Sequence, residues 1–139
     1  MKVVLDTNVL ISALFWQGPP HNLLKLIEKG DLTLCLTPLL IEELRDVLKR
    51  PFFSSFITTH KTSSEKLIAA IFEIAELYPD KAIEAVIKDD PDDDKVLSCA
   101  LVSGAKFIIT GDTHILNLTK WADISILTPQ QFLNGLKEY

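Results

Sequence analysis

The sequence is poor in cysteine, has no long apolar run, and carries fewer bases than acids. Two cysteines in 139 residues, Cys35 and Cys99, are too few for a disulfide framework. Each lies in an apolar stretch, one strand-like and one helix-like, and reads as a buried free thiol. The three histidines, His21, His60 and His114, have no cysteine partner and no zinc spacing, so no zinc site is expected. No apolar run reaches the roughly 18 residues of a membrane span, and the first residues enter a strand pattern instead of a signal-peptide layout. The expected location is therefore cytoplasmic, with no membrane partner. With 14 basic against 19 acidic residues and a net charge of −5, the chain does not grip nucleic acid by charge alone. An enzyme whose acidic site is neutralised by metal ions stays open.

What is present is a regular alternation of short apolar runs and helical patterns, within one expected domain over residues 1–139 that is long enough for a real core. Val3-Val4-Leu5 reads as a buried strand ending abruptly at Asp6, after which Asp6-Thr7-Asn8 supplies capping side chains for an apolar helix up to Trp16. Gly18-Pro19-Pro20 breaks it, and Leu23, Leu24, Leu26 and Ile27 recur at helical spacing. Residues 32–37 form a second strand. Pro38 opens a helix that Pro51 stops near Arg50. Residues 52–62 are expected to be a turn or loop. Ser63-Ser64-Glu65 starts a helix with Leu67, Ile68, Ile71, Phe72 and Ala75 on one face, and Ala82 to Ile87 is a weaker strand candidate. Asp90-Pro91 opens a helix ending near Gly104. Lys106 to Thr110 is a strong strand closed by Gly111-Asp112, and a short helical stretch around Ile115 to Leu118 follows. A last strand, Ile124 to Leu127, leads into a helix after Thr128-Pro129. Strands alternating with helices give a three-layer α/β/α fold, Rossmann-like, with a mostly parallel central sheet of four to five strands.

Open parallel sheets bind ligands at the carboxyl ends of their strands, and this sorts the acids. Asp6 and Asp112 each close a strand there, whereas Asp31 and Asp123 precede strands and belong to the opposite edge. Helices that follow strands begin at the same carboxyl edge. At about 100° per residue, Leu40, Ile41, Leu44, Val47 and Leu48 share one arc; Glu43 borders it and Glu42 faces water. In the Asp89-Asp90-Pro91-Asp92-Asp93-Asp94 run, Asp90 and Asp92 are explained by capping and the helix dipole. Val96, Leu97, Ala100, Leu101 and Gly104 share a face headed by Asp93, with Asp94 near its rim. Capping also accounts for Asp6 taken alone, and the dipole for Glu43 taken alone. Carboxylates gathered at one edge would repel and raise one another's pKa values. A hard cation, Mg²⁺ or Mn²⁺, removes that conflict and suits phosphodiester hydrolysis. Arg45, Lys49 and Arg50 read as a solvated basic face that could also touch phosphates.

Leu5-Asp6-Thr7-Asn8-Val9, Glu43-Leu44, Asp93 with Ala100 seven residues on, and Thr110-Gly111-Asp112 together resemble the PIN-domain nucleases. The Asp-Pro-Asp-Asp run and Thr-Gly-Asp are similar to signatures of the bacterial and archaeal PIN proteins assigned as toxins of toxin–antitoxin pairs. The resemblance implies a metal-dependent ribonuclease acting on RNA, with Asp6, Glu43, Asp93 and Asp112 as catalytic metal-binding acids. The adjacent Asp94 leaves the third ligand open by one position. Asn8 and Thr110 would be polar positioning residues. It further implies a homodimer and a cognate antitoxin protein. Two alternatives remain: a phosphatase resembling the haloacid dehalogenase group, against which Asn8 stands where that group has a second Asp, and an inactive PIN-like module that binds RNA or protein.

Overall fold

The first strand, β1 (Lys2–Leu5), becomes the centre of the molecule because its Val3, Val4 and Leu5 side chains have no polar face to show to water. All three are at most 1% exposed, as expected of a strand covered on both sides. The computed structural model describes residues 1–81 and 94–136. Within them β1 is followed by α1 (Thr7–Phe15), α2 (Pro19–Glu28), β2 (Thr33–Leu36), α3 (Pro38–Leu48), α4 (Pro51–Thr59), α5 (Ser64–Ile74) and β3 (Ala75–Leu77). Then come α6 (Asp94–Ser103), β4 (Phe107–Ile109), α7 (Thr113–Leu116), β5 (Lys120–Trp121), β6 (Ile124–Leu127) and α8 (Pro129–Leu136).

The strands form one six-stranded sheet in the order β3-β2-β1-β4-β6-β5. All pairings are parallel except the β5–β6 hairpin at one edge. The architecture is the expected α/β one, with one or two more strands than the expected four to five. The first addition is β3: the helix ends at Ile74, and Ala75–Leu77 pairs with the open edge of β2. The second is β5, whose two residues pair back onto β6 through a turn at Ala122 and Asp123. The weaker strand candidate at Ala82 to Ile87, and the start of the helix at Asp90-Pro91, lie outside the described residues.

Residues 52–62, expected to be a loop, are mostly helix α4. Pro51 stops α3 and also sits at the first position of the next helix, where its missing amide costs nothing. The Thr58 and Thr59 hydroxyls donate to the carbonyls of Ser54 and Ser55, both at 3.0 Å, so these polar side chains follow the helix and do not break it. Phe53 and Phe56 seat α4 against Phe15, with ring centroids 5.7 and 4.6 Å apart. In α3 the buried residues are Leu40, Ile41, Leu44, Val47 and Leu48, the arc expected from the sequence. In α6 Leu101, expected on the buried face, is 42% exposed, and Cys99 and Ser103 are buried instead. The arc turns toward the small residues that let α6 lie close over β1 and β2. Cys35 and Cys99 are both free and buried, and burial pushes the Cys99 thiol up to about 12.

The β5–β6 turn places two non-glycine residues at positive φ, Ala122 at 50° and Asp123 at 65°. This is the type I′ geometry that asparagine and glycine adopt with least strain. Replacing Ala122→Asn together with Asp123→Gly should raise stability by about 1 kcal/mol, read as a higher urea midpoint with unchanged slope. An unchanged or lower midpoint would contradict the strain assigned to this turn.

Candidate active site

Register brings the first two acids together. Leu5 pairs with Ile109 across β1 and β4, and the ladder continues one step, the Asp6 amide donating to the Ile109 carbonyl at 3.2 Å. Asp6 and Thr110 are thus the next residues on adjacent central strands, at the carboxyl edge. Both are buried, Asp6 at 7% and Thr110 at 0% exposure.

The Asp6 carboxylate divides its work between its two oxygens. Oδ1 caps α1 by accepting the Val9 amide at 2.9 Å. Oδ2 accepts a short hydrogen bond from the Thr110 hydroxyl. That hydroxyl in turn accepts the Asp112 amide at 3.0 Å, so one oxygen atom ties Asp6 to the loop carrying Asp112. Asp112 is half-buried and caps α7, its Oδ1 accepting the His114 amide at 2.8 Å. Helix capping, which explains each acid singly, is therefore real for both. It does not explain why Asp6 is buried. Burial pushes the Asp6 carboxyl above its ordinary range; the Thr110 and Val9 bonds act against that, and the nearby Asp112 adds to it. A desolvated acid with a second acid beside it is held against an electrostatic cost, the pattern of a site awaiting positive charge.

The other sequence candidates fall as follows. Asn8 is exposed at the first turn of α1, beside Asp112. Glu43 is half-buried on α3 while Glu42 is exposed. Asp94 is half-buried and begins α6, and Asp93 lies outside the described residues. Among the described residues, no three His, Cys, Asp or Glu side chains stand close enough to hold an ion together. The structure thus brings Asp6, Thr110 and Asp112 into direct linkage and does not bring Glu43 or Asp94 into a triad with them. Asp31 and Asp123 lie at the opposite edge in exposed pairs with Lys29 at 3.6 Å and Lys120 at 3.9 Å. Lys49 and Arg50 are exposed, and Arg45 lines a separate apolar hollow with Ile41 and Phe72. Sequence reasoning did not single out Ser12, which lines a cavity beside Asp112; its place one helical turn from Asn8 was the available signal.

The donors linked here are oxygens only, two carboxylates and a hydroxyl, which suits a hard divalent cation and not a soft one. The chemistry of the set therefore fits Mg²⁺ or Mn²⁺.

Two linked acids at the carboxyl edge of a parallel α/β sheet stand where ligands of open α/β folds bind. The PIN domain family matches residues 2–114, and the chain belongs to it. This sets aside the dehalogenase-like alternative. The chain is 27% identical over 148 aligned positions to the uncharacterized protein MJ1680 of Methanocaldococcus jannaschii, covering 100% of this chain and 94% of that protein. Its fold is similar to the crystal structure of VapBC2 from Rickettsia felis bound to a DNA fragment from their promoter, with a TM-score of 0.62 and 16% identity over 91% of this chain and 97% of that one.

Thr110→Val keeps the shape and removes the hydroxyl, leaving Asp6 buried without its donor. Stability should fall by about 1–3 kcal/mol at pH 7. The donor favours the charged carboxylate, so its loss raises the folded-state pKa further above the unfolded value of about 3.9. A raised carboxyl pKa costs stability only above the unfolded pKa, so the gap to wild type should narrow as pH falls through the carboxylate range. Denaturant melts of both proteins in EDTA at several pH values check this. A loss that stays constant with pH would show that Thr110 acts by packing alone.

Proposed function

We propose that this protein is a divalent-cation-dependent endoribonuclease that hydrolyses phosphodiester bonds of single-stranded RNA, leaving a 5′-phosphate and a 3′-hydroxyl, and that it is the toxin of a toxin–antitoxin pair. One observation carries the catalytic part: a buried Asp6 carboxylate locked by Thr110 beside Asp112, at the carboxyl edge of the sheet of a PIN domain chain. The likeness to a VapBC complex supports a protein antitoxin as partner, and a homodimer is the assembly we assign.

In this reading Asp6, Glu43, Asp93 and Asp112 hold Mg²⁺ or Mn²⁺, with Asp94 the alternative to Asp93. When bound, such an ion supplies Lewis-acid polarisation of a phosphoryl oxygen and lowers the pKa of water at the site. The chain's own part is preorganisation. Thr110 fixes the carboxylate plane of Asp6 through Oδ2 while the Val9 amide holds Oδ1, so the acid is oriented before any ion binds. Burial by β1 and β4 keeps bulk water from that carboxylate. Asn8, exposed at the rim, presents an amide to an incoming strand.

Saturating Mn²⁺ should stabilise the wild type, by about 2.7 kcal/mol at a hundred times its dissociation constant. Asp6→Asn and Asp112→Asn should remove most of that gain and lower cleavage of a labelled single-stranded RNA at least about 100-fold while staying folded. Full cleavage in either variant would refute the assignment; a folded wild type that binds Mn²⁺ but cuts no RNA would favour the inactive binding module. Comparing Asp93→Asn with Asp94→Asn decides the third ligand, the greater loss expected at Asp93.

A further inference from the structure

Beside the two acids the structure holds a cavity of about 340 Å³, at the small end of ligand-sized pockets. Its lining includes Asn8, Ser12, Pro20, Gly111, Asp112 and Pro129. One wall is polar: Asn8 and Ser12 stand four residues apart, on one face of α1. Serine is a modest helix former, and within helices its hydroxyl commonly returns to the backbone. Among the described residues no hydrogen bond engages the Ser12 hydroxyl or the Asn8 amide as a side chain. The apolar part of the lining is Val9, Pro20 and Pro129. Pro20 and Pro129 come from the first turns of α2 and α8, where the proline ring fixes the backbone. Gly111 and Asp112 close the end nearest the acids.

The charge of the lining decides what fits. No lysine or arginine lines the cavity, so none of its own side chains pairs with a phosphate, and in the proposed function Asp112 at its end belongs to the cation site. A nucleobase with its sugar is neutral, flat enough for the proline faces, and edged with donors and acceptors that an amide and a hydroxyl can read. The geometry points to a nucleoside subsite, in which the nucleotide adjoining the cleaved phosphate inserts its base between Pro20 and Pro129 and is read by Ser12 and Asn8. This rests on the nuclease reading and adds a specificity-determining residue, Ser12.

The test uses the full chain and three measurements on the wild type, Ser12→Ala and Ser12→Met. Ser12→Ala removes only the hydroxyl and improves helix propensity; Ser12→Met narrows the cavity. With a random-sequence single-stranded RNA pool and Mn²⁺, product ends from the wild type should show a base preference at one position next to the cut, and Ser12→Ala should relax it. On one chosen oligonucleotide KM should rise about two- to tenfold for Ser12→Ala and further for Ser12→Met, with kcat nearly kept. The thermal shift from Mn²⁺ should be unchanged in both variants, since Ser12 holds no ion. Unaltered KM and base preference, or a fall in kcat alone, would overturn the subsite and leave the nuclease reading intact. If the wild type cuts no RNA, titrating the four free nucleosides against the amide resonances of Asn8, Ser12 and Gly111 still decides. Shifts confined to those residues and reduced in Ser12→Met uphold the subsite, and no shift overturns it.

Discussion

A single hydroxyl carries more of this architecture than its size suggests. Thr110 Oγ1 donates to the buried Asp6 carboxylate and accepts the Asp112 amide, at the point where the two central strands β1 and β4 end in register. Without it, an acid in a sheet whose neighbours are Val3, Val4, Leu5, Ile108 and Ile109 would face a desolvation cost that capping of α1 alone does not offset. With it, the end of β1, the start of α1 and the loop into α7 become one rigid unit. The carboxylates sit on strand ends and helix starts, not on a mobile loop, which is where a preorganised site gains most.

Each acid has a structural role, and in the proposed function a role in the site as well. Asp6 and Asp112 are N-caps by hydrogen bonding, and helix starts at the carboxyl edge of a parallel sheet are where ligands bind. Capping fixes the rotamer of each side chain before any substrate arrives. The accompanying cost is that burial, and then the neighbouring Asp112, disfavour the charged form of Asp6. An acid held against such a cost is common at sites that receive a ligand.

Much of the fold was legible because its signals are local. β1, β4 and β6 follow from apolar runs rich in β-branched residues, β2 from alternation along residues 32–37, and the buried arc of α3 from 3.6-residue spacing. What was not legible depends on contacts distant in sequence. The segment of α4 is aromatic and hydroxyl-rich, and it becomes helical because Pro51 restarts the helix and Phe15 and Trp16, some forty residues earlier, receive its rings. β3 exists because β2 has an open edge, and β5 because a hairpin tolerates Ala122 at positive φ. For the candidate site, strand-end position alone singled out Asp6 and Asp112, which Thr110 links. Thr110 was assigned to positioning by resemblance, whereas its role as a bridge required the register of β1 against β4. Glu43 and Asp94 fall on α3 and α6 as half-buried residues, but linear spacing does not fix how far one helix start stands from another. Ser12 was not singled out because a serine inside an apolar helix carries no motif; the cavity shows that it lies near Asp112.

The central claim is that Asp6 and Asp112 form a cation site built around Thr110. Paramagnetic broadening by Mn²⁺ in an amide-resolved NMR spectrum tests it most directly. Substoichiometric Mn²⁺ should first erase the signals of Thr7, Gly111 and Asp112, spare those near Asp31 and Asp123 at the opposite edge, and restore all of them with EDTA. Broadening centred away from the ends of β1 and β4, or equally strong around every exposed acid, would contradict it.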